Sequence, residues 1–174
     1  TALTPTETEF FGAIRYAASI VVFVMAGAAA ESAFYGAGIP RREGVRLYGM
    51  AVDSAKAGVA PPGKTLFNCA FSEEAAAELM SAPDDDVIVA LKRELSKLPL
   101  RGLDTVEGYV VHRWPALVPQ FYPGYHRSLA KFLSRRDRTP GLFFAGDYLV
   151  GPYTEAALTS GLRAARECAA RFGR

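Results

Sequence analysis

The stretch that decides the fold reads GLFFAGD at residues 141–147 and continues, after a short link, as GPYTEAALTSGLRAA at residues 151–165. The first part predicts a short buried strand that ends at a glycine and a carboxylate, Gly146 and Asp147. The second part predicts a helix over 154–172 whose first turn lacks bulky side chains. Because the first amide groups of a helix have no partner within it, this turn offers hydrogen-bond donors to an electron-rich ligand.

The residues of this turn suit a flavin nucleotide in chemical terms. Gly146 would let the backbone turn and approach a ligand closely, and the carboxylate of Asp147 can accept hydrogen bonds from ribityl or ribose hydroxyls. The amides over 154–157 would stabilise the negative charge that a reduced flavin gathers around N1 and the C2 carbonyl. On the residues alone, a strand-to-helix connection that merely turns is the commoner explanation.

A family resemblance favours the flavin interpretation. Residues 142–147 resemble the hydrophobic-Ala-Gly-acid element of the flavin amine oxidase superfamily, which includes protoporphyrinogen oxidases, and TEAALTSG at 154–161 resembles the helix that follows it. The resemblance implies FAD as cofactor, with Asp147 at the ribityl or pyrophosphate region and the amides near Thr154 and Glu155 at the pyrimidine edge. Ala156 stands where the family usually has glycine.

The residues beside this element complete the predicted cofactor site. Gly146 and Ala157 belong to it as the turn glycine and the last residue of the first helical turn. Tyr153 has two readings that the sequence leaves open: one wall of an aromatic cage beside the flavin, as in some amine oxidases, or a buried core tyrosine.

A second stretch, RWPALVPQFYPGY at residues 113–125, resembles the Trp-x-x-Ala-x-Pro-x-Tyr-x-x-Gly segment of protoporphyrinogen-oxidase-like enzymes. This resemblance implies that Trp114, Tyr122 and Tyr125 line an apolar substrate cavity. Without the resemblance, a cluster of aromatic residues and prolines is more often core and turn.

Periodicity and capping signals predict an α+β fold with a mixed, largely antiparallel sheet. Strands are predicted over 16–25, 45–52, 65–71, 105–113 and 142–145, with a loop over 36–44, a turn region over 57–64 and an irregular passage after Pro115. Helices are predicted to begin at Thr4, Ser72 and Pro83 and to cover 124–135 and 154–172. The last helix should bury its apolar face, formed by Leu158, Leu162, Ala165, Ala169 and Phe172.

The resemblance also implies a domain organisation. Residues 1–115 would form part of a substrate-binding domain, and residues 116–174 would complete an FAD-binding domain. The 174-residue sequence contains no Gly-x-Gly-x-x-Gly, the motif that cradles a dinucleotide phosphate. The partner implied is therefore a missing N-terminal dinucleotide-binding half. Apolar surface at Phe143 and Phe144 would invite pairing with that half or self-association.

Composition limits the function classes. A net charge of +2 gives no electrostatic case for nucleic acid. Two distant cysteines argue for a reducing compartment, and we expect a cytoplasmic protein.

The apolar run 17–30 is shorter than the roughly 20 residues that cross a bilayer, which leaves peripheral membrane contact open. The acidic triplet 84–86 predicts a helix start rather than a metal site.

The sequence predicts the C-terminal part of an FAD-dependent oxidoreductase. Its small-molecule substrate would be apolar or aromatic and would be oxidised at a C–N or C–C bond. No residue can be assigned as a general base, because His112 and His126 each stand alone and are expected at the surface. The fragment alone should be inactive and should bind FAD weakly. The alternative is a non-catalytic binding or scaffolding domain that retains the substrate-domain fold.

Overall fold

The computed structural model describes residues 2–27, 35–53, 58–99 and 105–173. The chain divides into two compact units. One unit comprises residues 18–115, and the other comprises residues 1–17 together with 116–174. Residues 1–17 group with the C-terminal part and not with 18–115. The predicted domain organisation, 1–115 and 116–174, stays a prediction.

A five-stranded sheet dominates the first unit. Its strands are β1 (Tyr16–Ala26), β2 (Gly36–Gly38), β3 (Leu47–Val52), β4 (Thr65–Phe71) and β5 (Val106–Pro119), in the order β2-β3-β4-β1-β5. The pairs β1–β4, β2–β3 and β3–β4 are antiparallel. Cys69 faces Val22 on one side and Met50 on the other. The predicted α+β class and the antiparallel character of the sheet are confirmed.

Five helices accompany the strands in the described residues. They are α1 (Pro5–Ala13), α2 (Glu73–Leu79), α3 (Asp84–Leu95), α4 (Tyr125–Leu133) and α5 (Thr154–Phe172), with short 3-10 turns at Arg41–Glu43 and Asp147–Leu149. The predicted helix starts are confirmed: the Thr4 side chain accepts from the Glu7 amide in a capping box, and the Ser72 side chain accepts from the Ala75 amide. The three acids 84–86 occupy the first turn of α3.

The core of the unit 18–115 lies between one face of the sheet and α2 and α3. Alternate residues of β1 are buried, as a half-covered strand requires. The buried side chains of this core include Ile20, Val22, Phe67, Phe71, Val87 and Leu91.

An aromatic cluster forms the core of the other unit. Phe10 of α1 stacks on Phe132 of α4 with ring centroids 4.2 Å apart, and Tyr125, Leu129 and Leu149 complete the cluster. Because α1 contributes Phe10 to this core, the first residues of the chain belong with the C-terminal part.

Three predictions about elements are wrong. Residues 142–145 are not paired as a strand, and residues 36–44 contain the short β2. β5 runs on through Pro115 to Pro119. It stands at the end of the strand order, where a proline without an N–H is tolerated.

The predicted buried face of α5 is also wrong within the described chain. Leu158, Leu162 and Phe172 are 56%, 50% and 60% exposed, and Ala165 and Ala169 are exposed too. The residues of α5 that are buried are Ala156 and Ser160. We call the exposed row of Leu158, Leu162, Ala165, Ala169 and Phe172 the α5 stripe.

Candidate functional site

The turn that links residues 142–145 to α5 is fixed from both sides. The Gly146 amide donates to the Ser160 hydroxyl at 2.9 Å, and that hydroxyl donates to the Ala157 carbonyl at 2.7 Å. Ser160 is fully buried. The start of the turn is thereby tied to the second turn of α5, so the carboxylate at 147 has a defined position relative to the helix start.

Two donors hold the Asp147 carboxylate. The Tyr16 hydroxyl donates to Oδ1 at 2.7 Å, and the Tyr148 amide donates to the same oxygen at 2.9 Å. The Tyr125 hydroxyl donates to the Tyr148 carbonyl at 2.8 Å, which fixes the next peptide of the turn. Burial, the hydrogen bond to Asp147 and its negative charge all raise the pKa of Tyr16, so its hydroxyl remains a proton donor at neutral pH.

Gly146 lies in close contact with the ring of Tyr148. Its φ of 154° and ψ of 162° are rarely adopted by residues with a side chain, and a Cβ placed there would lie 2.2 Å from Cε1 of Tyr148. The absent side chain therefore makes room for the ring of Tyr148. This intramolecular contact accounts for the glycine without a ligand.

The helix start presents two amides. Tyr153 is the N-cap of α5 and makes no side-chain cap, and its carbonyl accepts from the amides of Ala156 and Ala157 at 3.1 and 3.3 Å. The Ala157 amide is therefore engaged within the helix, and Thr154 and Glu155 carry the first amides that have no acceptor inside it. Both of those residues are exposed.

Tyr153 itself is 56% exposed, which excludes the buried core tyrosine within the described chain. Its ring lies against Gly151, where a Cβ would approach Cε1 of Tyr153 to 2.4 Å. The glycine at 151 thus lets the ring fold back over the entry to α5. An exposed ring at this place is compatible with a wall beside a planar ligand.

The hydrogen-bond donors and the acceptor of this turn fit a flavin. Free amides at Thr154 and Glu155 suit the electron-rich N1 and C2 edge, and the Asp147 carboxylate suits the hydroxyls of a ribityl chain. A bound flavin would supply the capacity to accept a hydride equivalent from a substrate. Within the described residues the turn offers no glycine-rich loop for the phosphates.

The predicted substrate residues lie in different surroundings. Trp114 is 46% exposed on β5 in the unit 18–115. In the other unit, the Tyr122 hydroxyl donates to the Ala13 carbonyl at 2.8 Å, and Tyr125 is 1% exposed within the aromatic core. Tyr125 therefore stabilises the turn at 147–149 through its hydroxyl, and its ring is not exposed to a ligand. A shared role of the three in substrate binding stays a prediction.

A cavity of about 770 Å³ adjoins the turn in the unit that contains α5. Its walls come from the end of α4, residues 138–144 and the second half of α5. Phe144 packs edge-on against Phe132, and the Arg135 guanidinium lies 3.9 Å from the centroid of Phe132. Phe143 and Phe144 are half-buried, so the predicted exposed apolar surface lies at Leu142 and the α5 stripe instead.

The described residues hold no group of three or more potential metal ligands and no helix that could span a bilayer. His112 contacts Phe23 edge-on at 5.7 Å, and His126 stacks on Phe121 at 5.5 Å. Neither contact places a histidine beside the turn at 146–149, and no catalytic residue is assigned.

Tyr16 is the residue of this site that sequence reasoning missed. It lies 131 positions from Asp147, just ahead of the apolar run of β1, where an aromatic residue is ordinary. No local pattern in a single sequence could have linked the two residues.

Solved structures show which fold this is. A candidate protoporphyrinogen oxidase from Exiguobacterium sp. 255-15 superposes with a TM-score of 0.71 over 90% of the chain at 14% identity, and a reduced UDP-galactopyranose mutase with 0.62 over 95% at 15% identity. The chain spans 35% of the length of each. No curated protein matches the sequence.

A family model described as flavin containing amine oxidoreductase matches residues 2–169. The chain belongs to this family, as the sequence resemblance predicted.

Proposed function

We propose that the chain is part of an FAD-dependent oxidoreductase. In this proposal residues 18–115 form most of a substrate-binding domain, and the segment 116–174 completes the FAD-binding domain. The observation that carries it is the turn at 146–155, where a carboxylate held by two donors stands next to the free amides of a helix start. The family match over residues 2–169 supports it.

Each part of the turn has a distinct task. The amides of Thr154 and Glu155 stabilise negative charge on the pyrimidine edge of the flavin, which favours its reduced form. Asp147 holds the ribityl region and so fixes the ring in position. Tyr153 and the side chain of Ala157 flank the cofactor, and Gly146 shapes the turn through its contact with Tyr148.

The substrate in this proposal is a small molecule with an apolar or aromatic body, oxidised at a C–N or C–C bond. Val110 and Trp114 are 54% and 46% exposed and, at even spacing along β5, share one face of the strand. Exposed apolar side chains on one strand face suit an apolar ligand. A shared role of Trp114, Tyr122 and Tyr125 in binding this substrate is part of the proposal.

The dinucleotide phosphates require a second partner. We infer that an N-terminal dinucleotide-binding half packs on the α5 stripe and the adjoining cavity, and supplies the glycine-rich loop that these 174 residues lack. An apolar row at positions 158, 162, 165, 169 and 172 has the spacing of a helix face that packs against another element. We place the protein in the cytoplasm, since Cys69 and Cys168 are both free.

Anaerobic reduction of the flavin tests the proposed activity. The natural full-length protein, saturated with FAD, is mixed without oxygen with an aryl-alkyl amine, with a porphyrinogen and with a short aliphatic amine. We expect one of the first two to bleach the flavin absorbance and the short amine to leave it unchanged. If dithionite bleaches the bound flavin and none of the substrate classes does, the proposed oxidoreductase function is wrong and a binding or scaffolding role is favoured.

A further inference from the structure

The hydroxyl of Tyr16 makes a contact that the proposed cofactor role does not account for. Tyr16 and Asp147 lie in the same compact unit, and the hydroxyl donates to Asp147 Oδ1 at 2.7 Å. The residue is half-buried. A hydrogen bond from a neutral hydroxyl to a carboxylate is among the stronger ones in proteins.

Both donors to the carboxylate meet at one oxygen. The Tyr148 amide also donates to Oδ1, at 2.9 Å, and the Tyr148 carbonyl, in the next peptide, accepts from the Tyr125 hydroxyl. Two donors from different directions fix the rotation of the carboxylate about its last bond. Oδ1 is thereby occupied, and Oδ2 is the oxygen with lone pairs available for a ligand hydroxyl.

We propose that Tyr16 is a positioning residue, which holds Oδ1 of Asp147 so that Oδ2 accepts a hydrogen bond from a hydroxyl of the FAD ribityl chain. This inference rests on the proposed function, since it requires FAD at Asp147. It adds a residue from the start of β1 to a site that otherwise comes from residues 146–157. The Tyr16 hydroxyl contacts the carboxylate, so its proposed effect on the cofactor passes through Asp147.

A double-mutant cycle in the natural full-length protein tests it. The dissociation constant of FAD is measured by fluorescence titration for the wild type, Tyr16→Phe, Asp147→Ala and the double variant. We expect Tyr16→Phe to weaken FAD binding about fivefold to tenfold, which is less than a hydrogen bond to a charged group contributes directly, because the effect passes through Asp147. Adding Tyr16→Phe to Asp147→Ala should change the constant by less than about twofold, because Tyr16 acts through that carboxylate.

Tyr109→Phe is the matched control. It removes the same hydroxyl-to-carboxylate hydrogen bond, from Tyr109 to Asp85 Oδ1 at 2.8 Å, in the unit 18–115. FAD affinity of this variant should equal that of the wild type. The visible circular dichroism of the bound flavin is a second readout, and Tyr16→Phe and Asp147→Ala should change its bands in the same sense while Tyr109→Phe leaves them unchanged.

The outcomes separate the two proposals. A wild-type protein that takes up no FAD overturns the proposed function and this inference with it. A wild type that binds FAD, with Tyr16→Phe within twofold of it or with additive effects in the double variant, overturns the role of Tyr16 alone.

Discussion

Glu7 is a fully buried charge on the first helix, and five donors keep it ionised. Its carboxylate accepts from the Thr4 amide at 3.1 Å, from Nε and Nη2 of Arg135 at 3.1 and 2.9 Å, and from the amide and hydroxyl of Thr139. Burial alone would raise its pKa, but hydrogen bonds from Thr139, Thr4 and Arg135 outweigh burial and lower the pKa from 4.5 to about 2.

The lowered pKa of Glu7 predicts that the folded state loses stability in acid. Because the pKa of Glu7 is lower in the folded than in the unfolded chain, its contribution to stability is complete above the unfolded pKa of 4.5 and is lost as the pH falls towards about 2. That contribution is on the order of 3 kcal/mol. Urea unfolding across this acidic range should show a steep loss of unfolding free energy in the wild type and a flatter profile in Glu7→Gln.

Glu9→Gln provides the control for Glu7. Glu9 lies on the same helix as Glu7 and pairs with Lys131 of α4 at 2.6 Å, but the Glu9 side chain is 65% exposed. An exposed pair contributes little, so the pH profile should follow that of the wild type within about 0.5 kcal/mol. Equal acid sensitivity of the wild type and Glu7→Gln would contradict the buried-charge account.

Gly146 makes a second prediction at the scale of one residue. Gly146→Ala places a methyl group 2.2 Å from the Tyr148 ring at a φ that side chains avoid, so we expect a loss of about 1–3 kcal/mol in unfolding free energy. Gly108→Ala, in β5, meets nothing within 4 Å and serves as the control. If denaturant unfolding gives the two variants the same unfolding free energy, the close contact with Tyr148 does not constrain the turn.

At the scale of elements, local signals predicted helices well. The caps of α1 and α2 follow from side chains that lie within four residues of each helix start. Strands depend on distant partners. Residues 142–145 have a strand-like sequence, yet pairing needs a neighbour and none lies beside them in the described chain. β5 continues past Pro115 because it is an edge strand, where a proline without an N–H is tolerated.

The α5 stripe gives a prediction for an element. Leu162 is 50% exposed, so Leu162→Glu should change the unfolding free energy of the 174-residue chain by less than about 0.5 kcal/mol. In the full-length protein the same change should lower flavin content after purification, because it places a charge in the proposed contact with the dinucleotide-binding half. It should also reduce self-association of the 174-residue chain, measured by light scattering.

Thr159→Glu is the matched control for Leu162→Glu. Thr159 is exposed on the same helix but lies outside the α5 stripe. It should leave flavin content and self-association unchanged. Equal flavin content in Leu162→Glu and Thr159→Glu proteins would show that the α5 stripe does not contact the other half.

At the scale of the molecule, two units with separate cores share one chain, and one of them is assembled from both ends of the sequence. The sequence could predict which residues form the turn at 146–155, because a glycine, a carboxylate and a small-residue helix start lie together in it, and their role at FAD stays a prediction. It could not predict Tyr16, since 131 residues separate it from Asp147. Nor could it predict the exposure of α5, because amphipathic spacing shows which residues form a face and not what covers it.

The cofactor content of the natural full-length protein tests the central claim most directly. The protein is purified, its bound small molecules are released by denaturation, and these are identified and counted by mass spectrometry and absorbance. We predict one FAD per chain, and affinity for FAD weaker than micromolar in the 174-residue chain alone. A colourless full-length protein that takes up no added FAD would contradict the account.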